Sequence, residues 1–159
     1  MSLLHQSLYQ KDNIKLVDVK SYFGNLCENL FSTYKVGDKN IEMIKDIDEM
    51  DLDVDTVIPM GLITNELISN ALKYAFEGTE SGSITLRLKD NDSHLVLQVA
   101  DDGGGIPFTE IPDKTESLGL KLIKSFSEKL EAEVIIENTN GTSFRIIIDK
   151  AKIEKQSEV

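Results

Sequence analysis

The sequence predicts a two-layer α/β sandwich, in which a mixed, largely antiparallel sheet carries helices packed on one face. Three observations predict it. Apolar residues recur at helical spacing in three separate segments, the longest at 56–76. Two pairs of segments alternate apolar and polar residues: Ile84-Leu86-Leu88 with Leu95-Leu97-Val99, and Val134-Ile136 with Phe144-Ile146-Ile148. Each pair is joined by a short polar turn, so its strands run antiparallel and the helices collect on one face. Finally, the chain holds neither GxxxxGK[ST] nor GxGxxG, which excludes the P-loop and dinucleotide-binding forms of a doubly wound parallel sheet.

Taken in order, residues 3–10 (LLHQSLYQ) read as a helical turn or the end of a longer helix, broken at Asp12 and Asn13. Asp18 is placed to cap a helix that carries Val19, Tyr22, Phe23, Leu26, Leu30 and Phe31 and stops at Gly37 and Asp38. A strand is expected over 41–47, with Ile41, Met43 and Ile47 facing inward. The acidic stretch 46–55 is expected to be an irregular, solvated connection. As a calcium loop beginning at Asp51 it fails twice, with Thr56 where glycine is required and Leu62 where glutamate is required. A long helix follows over 56–76, with Pro59 in its first turn. Beyond the first hairpin, which turns at 90–93, lies a glycine-rich, polar stretch at 102–116. A helix capped by Ser117 and a hairpin turning at Asn140-Gly141 complete the fold. The charged tail after Asp149 is expected to fray.

The chain has 159 residues, 40% hydrophobic and 28% charged, enough for one domain with a real core. No apolar run nears the roughly 20 residues of a membrane helix, and no signal segment opens the chain. Cys27, the only cysteine, forms no internal disulfide, which suits a reducing, cytoplasmic compartment. A formal net charge of −11 argues against nucleic acid and anionic membranes as partners, yet leaves room for a nucleotide held by local groups. The opening Met-Ser-Leu suggests an artificial start on a piece of a longer protein.

Four segments carry chemistry. In LITNELISNALKYAF, Asn65, Glu66, Ser69, Asn70 and Lys73 share one arc of the helix. Asparagine and serine are poor helix formers, so something other than helix stability selects them there. An asparagine amide oxygen suits magnesium, with Glu66 one turn before to orient a water and Lys73 one turn after to neutralise phosphate. In VADDGGGIP, Asp101 stands at a strand end as an acceptor suited to the exocyclic amine of adenine, before Gly103, Gly104 and Gly105, which let backbone approach a flat ring. In SLGLKLI, Ser117 caps a helix whose first turn holds Gly119, exposing N–H groups suited to phosphate. Gly141-Thr142, alone, reads as an ordinary hairpin turn.

In this order the four segments resemble the GHKL (Bergerat) nucleotide-binding fold of histidine kinases, gyrase-type topoisomerases and related ATPases, over about residues 19–148. NELISNALKYAF resembles the family's N box, DDGGGI and SLGLKLI its two glycine boxes, and NGTSF its closing strand. Within that family the segments most resemble sensor histidine kinases of the HisKA_2 class. The resemblance implies ATP and Mg2+ as ligands, with Asn70 on the metal. It places Lys73 and Tyr74 near phosphates and ribose, Asp101 on adenine, and Thr142 supporting that contact. It also implies a pocket lined by Gly103, Gly105, Ile106, Ser117, Gly119 and Leu120, with Glu66, Asn70 and Lys73 as the catalytic set. Residues 1–17 resemble the trailing end of upstream dimerisation helices, 18–150 the ATP-binding catalytic domain, and 151–159 a charged tail.

The implied activity is transfer of the ATP γ-phosphate to a histidine on a dimerisation domain that this fragment lacks, followed by a response regulator downstream. Neither His5 nor His94 stands in the context of the phosphate-accepting histidine. The fragment is therefore expected to be monomeric and inactive in autophosphorylation by itself, and its parent may be attached to a membrane. Two alternatives share the fold: an ATPase of the gyrase or mismatch-repair type, with Glu66 activating water, and a serine kinase of the anti-sigma-factor type. The lid between Gly105 and Ser117 is short, with Phe108 its only aromatic residue.

Overall fold

The computed structural model describes residues 15–34, 39–106 and 110–157. The expectations for residues 3–13, for Gly37 and Asp38 and for Phe108 lie outside these. Strand β1 (Leu16–Asp18) leads directly into α1 (Val19–Thr33), β2 (Asn40–Ile47), β3 (Asp51–Asp53) and α2 (Val54–Asn70), which continues as a π-turn over Ala71–Ala75. Then come β4 (Ser81–Asp90), β5 (His94–Asp101), α3 (Leu118–Lys129), β6 (Glu133–Glu137), β7 (Thr142–Asp149) and α4 (Lys150–Ser157). The main sheet has the order β2-β4-β5-β7-β6. Only β2 and β4, which are separated in sequence by α2, pair in parallel. The other three pairings are antiparallel, so the mixed, largely antiparallel sandwich is what forms.

Period-2 alternation decides which sheet face is covered. Ile84, Leu86 and Leu88 of β4, Leu95 and Leu97 of β5, and Ile146 and Ile148 of β7 are fully buried, in one cluster with Phe23 and Cys27 of α1, Met60, Ile63 and Ile68 of α2 and Ile123 of α3. Burying side chains of this size stabilises by about 1.5–3 kcal/mol each before chain entropy is counted. Burial also pushes the Cys27 thiol up to about 11. At pH 8 its thiolate fraction is then about a hundredfold below that of a free cysteine. We expect iodoacetamide to label Cys27 in the folded protein at under about 1% of its rate in urea, read by mass spectrometry.

Three expectations need correcting. The acidic stretch 46–55 is not irregular: β3 pairs antiparallel with β1 in a two-stranded ribbon, Leu16 opposite Asp53 and Asp18 opposite Asp51. Backbone bonds from Val54 N to Lys15 O and from Val19 N to Met50 O, 3.1 and 3.0 Å, extend it. Its acids sit at helix starts. Asp18 accepts from the Ser21 N–H at the N-terminus of α1, and Asp53 precedes α2, with its carboxylate accepting from the Thr56 hydroxyl at 2.7 Å. Consequently α2 begins two residues earlier than the apolar pattern shows, and Pro59 falls in its second turn. The tail does not fray at once: Lys150–Ser157 is helical, Lys150 bonds Asp90 at 2.8 Å, and Ile153 is buried.

Candidate functional site

A cavity of about 350 Å³ opens between α2, α3 and the ends of β5 and β7. Its apolar wall comes from Leu67, Ala71 and Ala75 of α2 and its π-turn, Val99 of β5, Ile123 of α3 and Phe144 of β7. Val99 and Phe144 are direct cross-strand partners, so one step of the inward-facing ladder forms the floor. Polar groups stand around this wall. Glu66 and Asn70 come from α2, Asp101 from the end of β5, Ser117 from the α3 cap, and Thr142 from the start of β7.

The end of β5 separates two adjacent carboxylates by role. Asp101 faces the cavity and accepts the Gly103 N–H at 2.9 Å. Burial raises its pKa above the usual carboxylate value, and backbone hydrogen bonds from Gly103 and Thr142 partly offset the rise. Asp102 turns to the neighbouring strand instead, where it accepts the Ser83 N–H and hydroxyl at 2.7 and 3.1 Å. It is an anchor within the sheet.

Glycines set how closely the pieces approach. A Cβ on Gly119 would lie 2.6 Å from Glu66 Oε2 and 3.5 Å from Asn70 Nδ2, so the start of α3 packs directly on the polar face of α2. Ser117 caps α3 by accepting the Leu120 N–H at 3.2 Å. A Cβ on Gly103 would come within 2.2 Å of the Ala75 carbonyl oxygen. That carbonyl accepts the Gly104 N–H at 2.9 Å, tying the glycine loop to the π-turn.

Of the residues singled out in the sequence, Glu66, Asn70, Tyr74, Asp101, Gly105, Ile106, Ser117, Gly119, Leu120 and Thr142 line the cavity together. Lys73 and Gly103 do not line it. The i→i+5 turn advances fewer degrees per residue than the 100° of an α-helix, which carries Lys73 off the arc of Asn70 and brings Ala75 onto it. The Lys73 ammonium lies 4.9 Å from the centroid of the Tyr34 ring. Gly103 acts through packing against Ala75. Sequence reasoning missed the apolar wall, whose alternation reads as ordinary core. It also missed Asn138, whose amide oxygen accepts the Ile106 N–H at 3.2 Å and which no spacing rule distinguishes from a turn residue.

Comparison with known proteins agrees with this geometry. Residues 56–152 match the family described as histidine kinase-, DNA gyrase B- and HSP90-like ATPase. Residues 1–34 match a second family, HisKA_2, described as histidine kinase. Blue-light-activated histidine kinase 2 of Erythrobacter litoralis is 28% identical over 91% of this chain and 43% of its own length. Sensor histidine kinase PdtaS of Mycolicibacterium smegmatis is 32% identical over 46% of this chain and 15% of its own length. The chain thus spans less than half the length of either relative. The solved histidine kinase domain of the Erythrobacter litoralis EL346 blue-light-activated kinase superposes with a TM-score of 0.77, at 27% identity, over 89% of this chain and 64% of that one. Among the described residues no helix is long and apolar enough to cross a membrane. From α2 through β7, this chain belongs to the histidine kinase-, DNA gyrase B- and HSP90-like ATPase family and is related to the catalytic domains of sensor histidine kinases.

Proposed function

We propose that this domain binds ATP with Mg2+ in the cavity and transfers the γ-phosphate to a histidine on a dimerisation domain of the same parent protein, from which a response regulator takes it. The observation that carries the reading is Asp101, a carboxylate sunk at the end of β5 beside an apolar wall, with Thr142 at its side. Adenine stacked on Val99, Phe144 and Ile123 would donate its exocyclic amine to Asp101. A guanine would present a carbonyl there and be refused. At the other end, the start of α3 beside Gly119 offers N–H groups and the positive helix end to the phosphates.

Asn70 lines the cavity next to the Glu66 carboxylate and the start of α3, and its amide oxygen is a fitting neutral ligand for magnesium. Among the described residues no cluster of three or more His, Cys, Asp or Glu side chains could hold a metal unaided, so nucleotide oxygens would complete the shell. Magnesium bound there neutralises charge on the transferred phosphoryl group. The chain's own work is positioning: the wall fixes the base, and Asn70 with the α3 start fixes the phosphates. A neutral imidazole needs no strong base, so Glu66 orients rather than deprotonates.

The test supplies the upstream dimerisation domain in trans with γ-labelled ATP and magnesium. Acid-labile, base-stable label on that domain supports the reading, and Asn70→Ala should cut its rate by about a hundredfold or more. Free phosphate without labelled protein would replace the reading with a water-activating ATPase, and an acid-stable ester would replace it with a serine kinase.

A further inference from the structure

We infer that Asn138 is a positioning residue for the nucleotide cavity, holding the start of the lid against the β6–β7 hairpin. The inference rests on the nucleotide reading above for its functional half and on geometry alone for its structural half. The chain leaves the cavity edge at Gly105 and Ile106, both of which line it. Gly105 has φ +78, so the backbone reverses there, and a Cβ on it would lie 3.7 Å from the Gly141 carbonyl oxygen. One residue later, the Ile106 N–H donates to the Asn138 amide oxygen at 3.2 Å.

The same hairpin presses on the strand end from which the loop emerges. A Cβ on Gly141 would meet the Asp101 carbonyl oxygen at 2.0 Å, and Thr142 pairs with Asp101 as the last rung of the β5–β7 ladder. Residues 101–106 are therefore gripped twice by one turn, at Asp101 through backbone and at Ile106 through a side chain. On the opposite side the Ala75 carbonyl takes the Gly104 N–H. Removing the Asn138 grip frees Ile106 while leaving the ladder and the Ala75 contact in place. The wall beside Asp101 then loses its fixed position, and the nucleotide must order it on binding. Aspartate keeps the acceptor oxygen at the same reach, whereas alanine and leucine remove it.

The experiment uses the full chain as Asn138→Ala, Asn138→Leu and Asn138→Asp. Exchange of the Ile106 amide is followed by NMR, ADP–magnesium affinity by calorimetry, and the unfolding midpoint in urea. One lost hydrogen bond predicts that alanine and leucine speed Ile106 exchange and weaken ADP binding, each by about 2- to 10-fold, with the exchange of Leu97 and Ile146 unchanged. Aspartate should return Ile106 exchange to within about twofold of the parent. Unchanged Ile106 exchange in the alanine variant overturns the inference. So does loss of protection in the aspartate variant, which tests it even if alanine fails to fold. Variants with altered exchange but unaltered ADP affinity would overturn the functional half. A parent chain that binds no adenine nucleotide would instead overturn the nucleotide reading, with the Ile106 grip still measured by exchange.

Discussion

Asp101→Asn should weaken ATP binding by about 30- to 150-fold while leaving the folded protein at least as stable at pH 7. A hydrogen bond to a charged acceptor contributes about 1.5–3 kcal/mol, and the asparagine amide would in addition point a donor at a donor. The stability half follows from the direction of the Asp101 pKa. Burial raises it above the ordinary 3.8, so folding favours the protonated form. A group of this kind contributes stability that is fully present below the unfolded value and lost as pH rises through the folded one. At neutral pH the ionised Asp101 is thus a cost to the fold, kept for its ligand, and asparagine relieves that cost. Binding runs the other way: protonation removes the acceptor, so the parent loses affinity on acidification at a higher pH than an ordinary carboxylate would. Calorimetric titration with ADP across pH 4 to 8, paired with urea unfolding, checks both halves. An asparagine variant that binds normally, or one that unfolds markedly earlier at pH 7, would sink this account of Asp101.

The largest expected loss of stability belongs to Gly141→Ala. Its Cβ would lie 2.0 Å from the Asp101 carbonyl oxygen and 2.8 Å from the Asp102 Cα, all of it backbone that cannot swing aside. Its φ of +114 adds strain for any side chain. Overpacking and the unfavourable dihedral each cost about 1–3 kcal/mol, so a loss near 3 kcal/mol or more is expected. The hairpin would have to separate from β5, taking Thr142 away from Asp101. Gly24→Ala is the natural control. Gly24 lies inside α1 with nothing within 4 Å of a new Cβ, and there alanine should stabilise by about 0.5–1 kcal/mol. Urea melts of the two variants measure the contrast, and similar midpoints would refute it.

Much of this was legible in the sequence because short-range chemistry wrote it there. Alternation over 84–88, 95–99 and 144–148 set the sheet faces, and Asp18 and Ser117 marked two helix starts that their hydrogen bonds now define. The glycine boxes, the N box and Thr142 converge on one cavity. What stayed hidden depends on partners distant in sequence. Asp51–Asp53 is three residues long, too short for any period, and becomes a strand only because Leu16–Asp18 lies beside it. Ile153 looks like one apolar residue in a charged tail until β7 offers it a place in the core. Lys73 falls on the polar arc in an ideal α-helix, and only the widened turn after Asn70 removes it. Asn138 acts through a single bond to a residue 32 positions away.

That widened turn also governs where the chain can gain or lose residues. A π-turn is an α-helix holding one residue more than its hydrogen-bond pattern needs. Deleting a single residue within Ala71–Ala75 would let the helix close into ordinary turns, rotating everything beyond by about 100° and drawing it back by about 1.5 Å. The Ala75 carbonyl would then no longer meet the Gly104 amide, and Phe76, now buried, would swing toward water. The exposed stretch from Pro112 to Lys114 carries no such phase. Length is therefore fixed to the single residue at the end of α2 and free a few dozen positions later, so insertions and deletions that leave the cavity intact will fall on the second side of that divide.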